Sequence, residues 1–90
     1  MFTPMKRQSI DEIKTALDDF RKTLIVELED KNQLVRIRIN GHFKIIQLDI
    51  HEDVKKEEIE IIVPELITKA IENIGNQIRK RLEDLQTVPS

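Results

Sequence analysis

Three features of the chain predict an α+β fold with the order helix, three strands, helix. Apolar residues recur at helical spacing over residues 9–22. Three segments between residues 23 and 50 alternate apolar and polar side chains. A helical apolar period then begins near residue 57 and runs to about residue 86. The first and last features are amphipathic helices. The middle one is a half-buried sheet.

The first helix is expected at 9–22. Ser9 and Glu12 fit a capping box, and Asp11 and Glu12 suit the positive end of the helix dipole. Its stripe of Ile10, Ile13, Leu17, Phe20 and Leu24 is spaced 3, 4, 3, 4. A stripe that narrow suits a helix meeting one partner. Strand 1 is expected at 23–29, with Leu24, Val26 and Leu28 inward and Glu27 and Glu29 outward. Asp30 to Gln33 reads as a turn. Strand 2 at 34–39 points Val35, Ile37 and Ile39 inward and Arg36 and Arg38 outward. Asn40-Gly41 then predicts a type I′ hairpin with positive φ at both residues. Strand 3 is expected at 43–50, with Ile46, Leu48 and Ile50 completing the inward face. The apolar face of this meander must be covered.

The second helix is expected at 57–86. Its stripe is broad to about Ile74 and then narrows through Ile78, Leu82 and Leu85. The broad part suits packing on the sheet, and the narrow part suits an extension past its edge. Pro64 predicts either a start near Glu60 or a kink, because proline removes an interior hydrogen bond. The whole chain reads as one domain, 1–90, with no internal repeat.

Composition narrows the functional classes. The chain has 90 residues, 36% of them charged, with no Cys, two Gly and a net charge of −2. Without Cys there is no disulfide and no thiolate metal site. Two glycines cannot make a phosphate-cradling loop. No apolar run reaches the length of a membrane span. The expectation is a cytoplasmic protein with no membrane partner, no cofactor and no small-molecule substrate. Tyr and Trp are absent and Phe occurs three times, so platforms for stacking single-stranded bases are scarce. Charge is unevenly spread: residues 1–22 and 76–90 are each net +1, and the centre is net −4.

Leu34-Val-Arg-Ile-Arg-Ile-Asn-Gly41, the strand closing at Leu48-Asp-Ile50, and Leu66-Ile-Thr-Lys-Ala70-Ile-Glu-Asn73 together resemble the YbaB/EbfC family of bacterial nucleoid-associated proteins. The order of elements is similar too. The resemblance spans about 50 residues, from Val26 to Ile78. Leu28 to Gln33 stands where the family has a Gly-rich turn. What the resemblance implies is a homodimer paired through sheet and long helices, with helical arms that grip duplex DNA without sequence preference.

The candidate DNA contacts are the basic residues of the arms: Lys6 and Arg7, Arg21 and Lys22, and Arg79, Lys80 and Arg81. Each has a plainer reading as solvated surface or as complement to a helix dipole. Arg36 and Arg38 are expected to pair with Glu27 and Glu29 across the strands. His51-Glu-Asp53 lacks the spacing of a metal site, and no nucleophile, base and orienting group line up for catalysis. The expectation is a non-enzymatic, homodimeric DNA-binding protein of the nucleoid. The alternative is a small acidic dimeric module, of the secretion-chaperone kind, that holds a protein segment. A structural subunit of a larger assembly is a third reading.

Overall fold

The computed structural model describes residues 10–86. The order is α1 (Ile10–Thr23), β1 (Ile25–Glu29), β2 (Val35–Asn40), β3 (Ile45–Ile50) and α2 (Lys56–Gln86). The sheet is an open antiparallel meander in the order β1-β2-β3. The fold is therefore α+β, with the expected arrangement of elements. Ser9, the expected cap, lies outside the described residues.

α2 lies across β2 and β1, and α1 packs beside α2. The core is a single layer between α2 and the sheet. Val35, Ile37 and Ile39 of β2 and Val26 of β1 meet Leu66, Ala70 and Ile74 of α2, with Leu24 and Val54 at the margins. The order of burial along β2 follows its alternation, since inward side chains are buried and Arg36 stays outside. On the outer face Arg36 Nη2 lies 2.9 Å from Glu29 Oε1, and Arg38 Nε lies 3.3 Å from Glu27 Oε2. These are the expected cross-strand pairs.

β3 departs from expectation. It begins at Ile45, not residue 43, and none of its residues is buried. Ile46, Leu48 and Ile50 are 45%, 42% and 38% exposed. The reason is width. A helix is about 10 Å across and strands are about 4.8 Å apart, so one helix roofs roughly two strands. α2 sits over β1 and β2, which leaves β3 without a roof. A bulge adds to the irregularity: Arg38 pairs with Gln47 and Ile39 with Ile45, so Ile46 is the extra residue.

The β2–β3 turn also differs. Positive φ occurs at Phe43 (63°), and at neither Asn40 nor Gly41, so the turn is not type I′. The loop is one residue longer than a two-residue hairpin. Phe43 N–H donates to Asn40 O at 2.9 Å, and Asn40 Oδ1 accepts from the N–H groups of His42 and Lys44. The Asn40 side chain thus builds an Asx turn. Gly41 is needed for a different reason. A Cβ there would stand 2.4 Å from the Arg21 carbonyl oxygen. Gly41 N–H donates to Leu24 O, and Arg21 Nε donates to Gly41 O at 2.8 Å. This close approach ties the end of α1 to the sheet.

The β1–β2 turn is organised by Asp30. Its Oδ1 accepts from Leu34 N–H at 2.7 Å and Val35 N–H at 2.9 Å, and its Oδ2 from Asn32 N–H at 3.3 Å. The Val35 N–H above all, helped by those of Leu34 and Asn32, holds this carboxyl below its ordinary value of 3.8 against an opposing desolvation effect. Gln33 takes the positive φ (59°) that the turn requires.

α2 starts at Lys56 and runs unbroken through Pro64 to Gln86, so the helix does not begin at Glu60 or Pro64. Glu57 and Glu58 occupy its first turn, favoured by the dipole. Buried Val54 and half-buried Ile59 stand at the positions of a hydrophobic staple. Pro64 faces solvent, where water can serve the carbonyl that its missing N–H leaves free. At about 1.5 Å per residue, the 31 residues of α2 span about 46 Å, longer than the sheet it covers.

Candidate nucleic-acid interface

Toward its C-terminal end α2 pairs with α1 as an arm, with Arg81 over Phe20. Ile13, Leu17 and Phe20 of α1 and Ile78, Leu82 and Leu85 of α2 are half-buried, as a two-helix contact with one open side requires. The Arg81 guanidinium lies 5.8 Å from the centroid of the Phe20 ring, a cation–π contact that fixes the arm at its base. Arg21 bridges to the sheet through Gly41 O and also lies 5.8 Å from the Phe43 ring.

Two of the expected DNA-contacting residues are thus engaged in holding the chain together. Arg21 joins α1 to the β2–β3 turn, and Arg81 joins α2 to α1. Lys22 pairs with Asp18 at 3.2 Å, one helical turn back, with both side chains exposed. Arg79 Nη2 donates to Asn76 Oδ1 at 2.9 Å. Lys80 is exposed. Lys6 and Arg7 lie outside the described residues. Phe20 and Arg81 bring the Arg21-Lys22 and Arg79–Arg81 segments to the same part of the arm, but Asp18, Asp19, Glu83 and Asp84 share it.

A second group emerges from the helix geometry. Lys69, Asn73, Asn76, Gln77 and Lys80, spaced i, i+4, i+7, i+8 and i+11, share one face of α2 and line a shallow surface depression together with Glu72. Gln77 Nε2 donates to Asn73 Oδ1 within this row. Lys69 pairs with Glu65 at 3.3 Å, both side chains about 60% exposed. Exposed pairs of this kind exchange partners at little cost. Counting charge along the sequence does not find this row, because three of its five members are neutral amides. The signal that does find it is the recurrence of Asn, Gln and Lys at helical spacing.

Other clusters are committed within the fold. A cleft of about 610 Å³ between the β1–β2 turn and α2 is lined by Glu29, Asp30, Glu58 and Glu65 among others. Glu29 holds Arg36, Asp30 holds its own turn, and Glu65 holds Lys69. His51 Nδ1 accepts the Asp53 N–H at 3.1 Å, which makes a turn of the His51-Glu-Asp53 segment. Among the described residues no helix is long and apolar enough to cross a membrane.

The side of α2 away from the amide row is apolar. Ile67, Ile71 and Ile78 follow one another with Gly75 between the last two, at intervals of 4, 4 and 3. Ile71 is 44% exposed. A Cβ placed on Gly75 would meet nothing within 4 Å. A glycine inside a helix costs about 1 kcal/mol relative to alanine, and no neighbour among the described residues requires this one. Comparison with family models, with curated proteins and with solved structures finds no match to this chain.

Proposed function

We propose that the chain is a homodimeric nucleoid-associated protein that binds duplex DNA with little sequence preference. The observation that carries this reading is the row Lys69, Asn73, Asn76, Gln77 and Lys80 on one open face of α2. Lysine and amide side chains are donors that contact phosphate oxygens, and such contacts carry no sequence information. The row extends over about 16 Å of helix; one acid, Glu72, lines the same depression, and Lys69 also pairs with Glu65. Arg21 and Arg81 act as braces that hold the arm in place. The resemblance of Val26 to Ile78 to the YbaB/EbfC family points the same way and implies a location in the cytoplasmic nucleoid.

The net charge of −2 means that the overall field does not attract DNA. Binding then rests on local contact and counterion release. Affinity is expected near 10⁻⁵ M per dimer at physiological salt, a value about typical of non-specific association. Fluorescence anisotropy with a short random duplex, at salt from about 50 to 200 mM, tests this. Log affinity should fall linearly with log salt. Lys69→Ala and Lys80→Ala should each reduce the slope by about 0.9 if each contacts one phosphate. Absence of binding at the lowest salt would refute the reading.

The exposed β3 favours a second reading, the protein-binding module. β3 is an edge strand with exposed Ile46, Leu48 and Ile50, and edge strands accept an extended segment by β-addition. Under that reading the Lys69 and Lys80 substitutions leave binding unchanged, and substitutions in β3 abolish it.

A further inference from the structure

Gly75 is neither a cap nor a turn. α2 continues past it to Gln86, and its φ is not positive. The missing side chain therefore does nothing for the chain itself. What an absent Cβ admits is a close approach by another backbone, and here that backbone must come from outside, because the space above Gly75 is open. The sequence around Gly75 reads as its own complement in reverse. Ile71 lies four residues before it and Ile78 three after. Glu72 lies three before and Arg79 four after. In two antiparallel helices related by a two-fold axis at Gly75, residues before the crossing in one copy face those after it in the other.

We infer that two copies of the chain associate through antiparallel α2 helices that cross at Gly75. The inference rests on the homodimer reading above and places its seam. Ile71 of each copy packs beside the open edge of the other's Ile78, whose inner edge rests on the core, on the flank nearer the sheet. Glu72 of each copy faces Arg79 of the other on the outer flank. Glu72 and Arg79 are seven residues apart, hence on the same side of the helix, and the two-fold axis forms the ion pair twice. Exposed Ile71 is thereby covered, and the absent Cβ lets the two backbones meet. The outer flank of the seam borders the amide row at Glu72 and at Arg79, which bonds Asn76, while Lys69, Asn73, Gln77 and Lys80 lie farther round α2 and stay open to DNA.

Sedimentation velocity on the full chain tests the crossing. Gly75→Leu places a side chain between the helices and should raise the dimer Kd tenfold or more, by roughly the cost of overpacking a close contact. Its circular dichroism should be unchanged, because the space above Gly75 is open within one copy. Glu72→Arg and Arg79→Glu should each weaken the dimer, and the double exchange should restore it. The chain has no Cys, so Gly75→Cys supplies a single thiol. Mild oxidation should link two copies through it, whereas Lys69→Cys on the other face should stay unlinked. A wild-type dimer indifferent to Gly75→Leu and to the charge exchange would overturn the crossing and leave the homodimer standing. A wild-type chain that is monomeric at about 100 µM, far above the Kd expected of a specific dimer, would overturn both. The seam would then belong to another protein.

Discussion

Ile37 and Leu48 are directly paired across β2 and β3 and share one face of the sheet. Ile37 is fully buried and Leu48 is 42% exposed. Both strands carry the alternation of a half-buried strand, and both have apolar residues at the inward positions. The difference lies in where α2 runs. A helix covers about two strands, and it covers the first two. The pair teaches that alternation specifies a face and tertiary placement decides whether that face meets anything.

The largest effect that sharpens this contrast is in the core. Ile37→Ala should lower unfolding free energy by about 2–5 kcal/mol. Leu48→Ala, on the same face one strand away, should cost about 1 kcal/mol or less in dilute solution. Urea denaturation measures both, and equal losses would break the comparison.

Gly41→Ala comes next, at about 1–3 kcal/mol. The new Cβ would collide with the Arg21 carbonyl, backbone against backbone, and force α1 off the sheet. Gly75→Ala is the built-in contrast within one copy, since no atom among the described residues stands in its way. A thermal melt in which Gly41→Ala is neutral would show that α1 does not depend on this approach.

The smallest effect concerns Asp30. Its carboxyl is depressed in the folded state, so its contribution is present above the ordinary value of 3.8 and is lost as pH falls through the folded value. Asp30→Asn should lower Tm near neutral pH, and the gap to the wild type should close under acid conditions. No gap at any pH would mean that the turn needs only an acceptor oxygen, which Asn keeps, and not the charge.

Much of this was legible in the sequence for identifiable reasons. The alternation of Val35, Ile37 and Ile39 and the period from Ile59 to Ile74 each report a local repeat, and both elements form where those repeats lie. The Arg36–Glu29 and Arg38–Glu27 pairs follow from register alone. The exposure of Ile46, Leu48 and Ile50 was not legible, because it depends on where α2 lies over the sheet. The role of Gly41 was hidden for a similar reason: its crowding comes from Arg21, twenty residues away. Of the two outcomes expected at Pro64, the late start does not occur, since α2 begins at Lys56 and an exposed helix interior tolerates the loss of one hydrogen bond. For the candidate site, charge counting selected Arg21 and Arg81, which the fold uses as braces. It does not register Asn73, Asn76 and Gln77 of the proposed row, because their donors carry no charge.

The most direct test of the account is to titrate a random-sequence DNA duplex into the isotopically labelled chain at low salt and follow its amide resonances. Shifts should concentrate on Lys69, Asn73, Asn76, Gln77 and Lys80, while β3 and the segment from Ile71 to Gly75 outside that row stay quiet. Shifts centred on β3, or none at all, would contradict the placement of DNA on this face of α2.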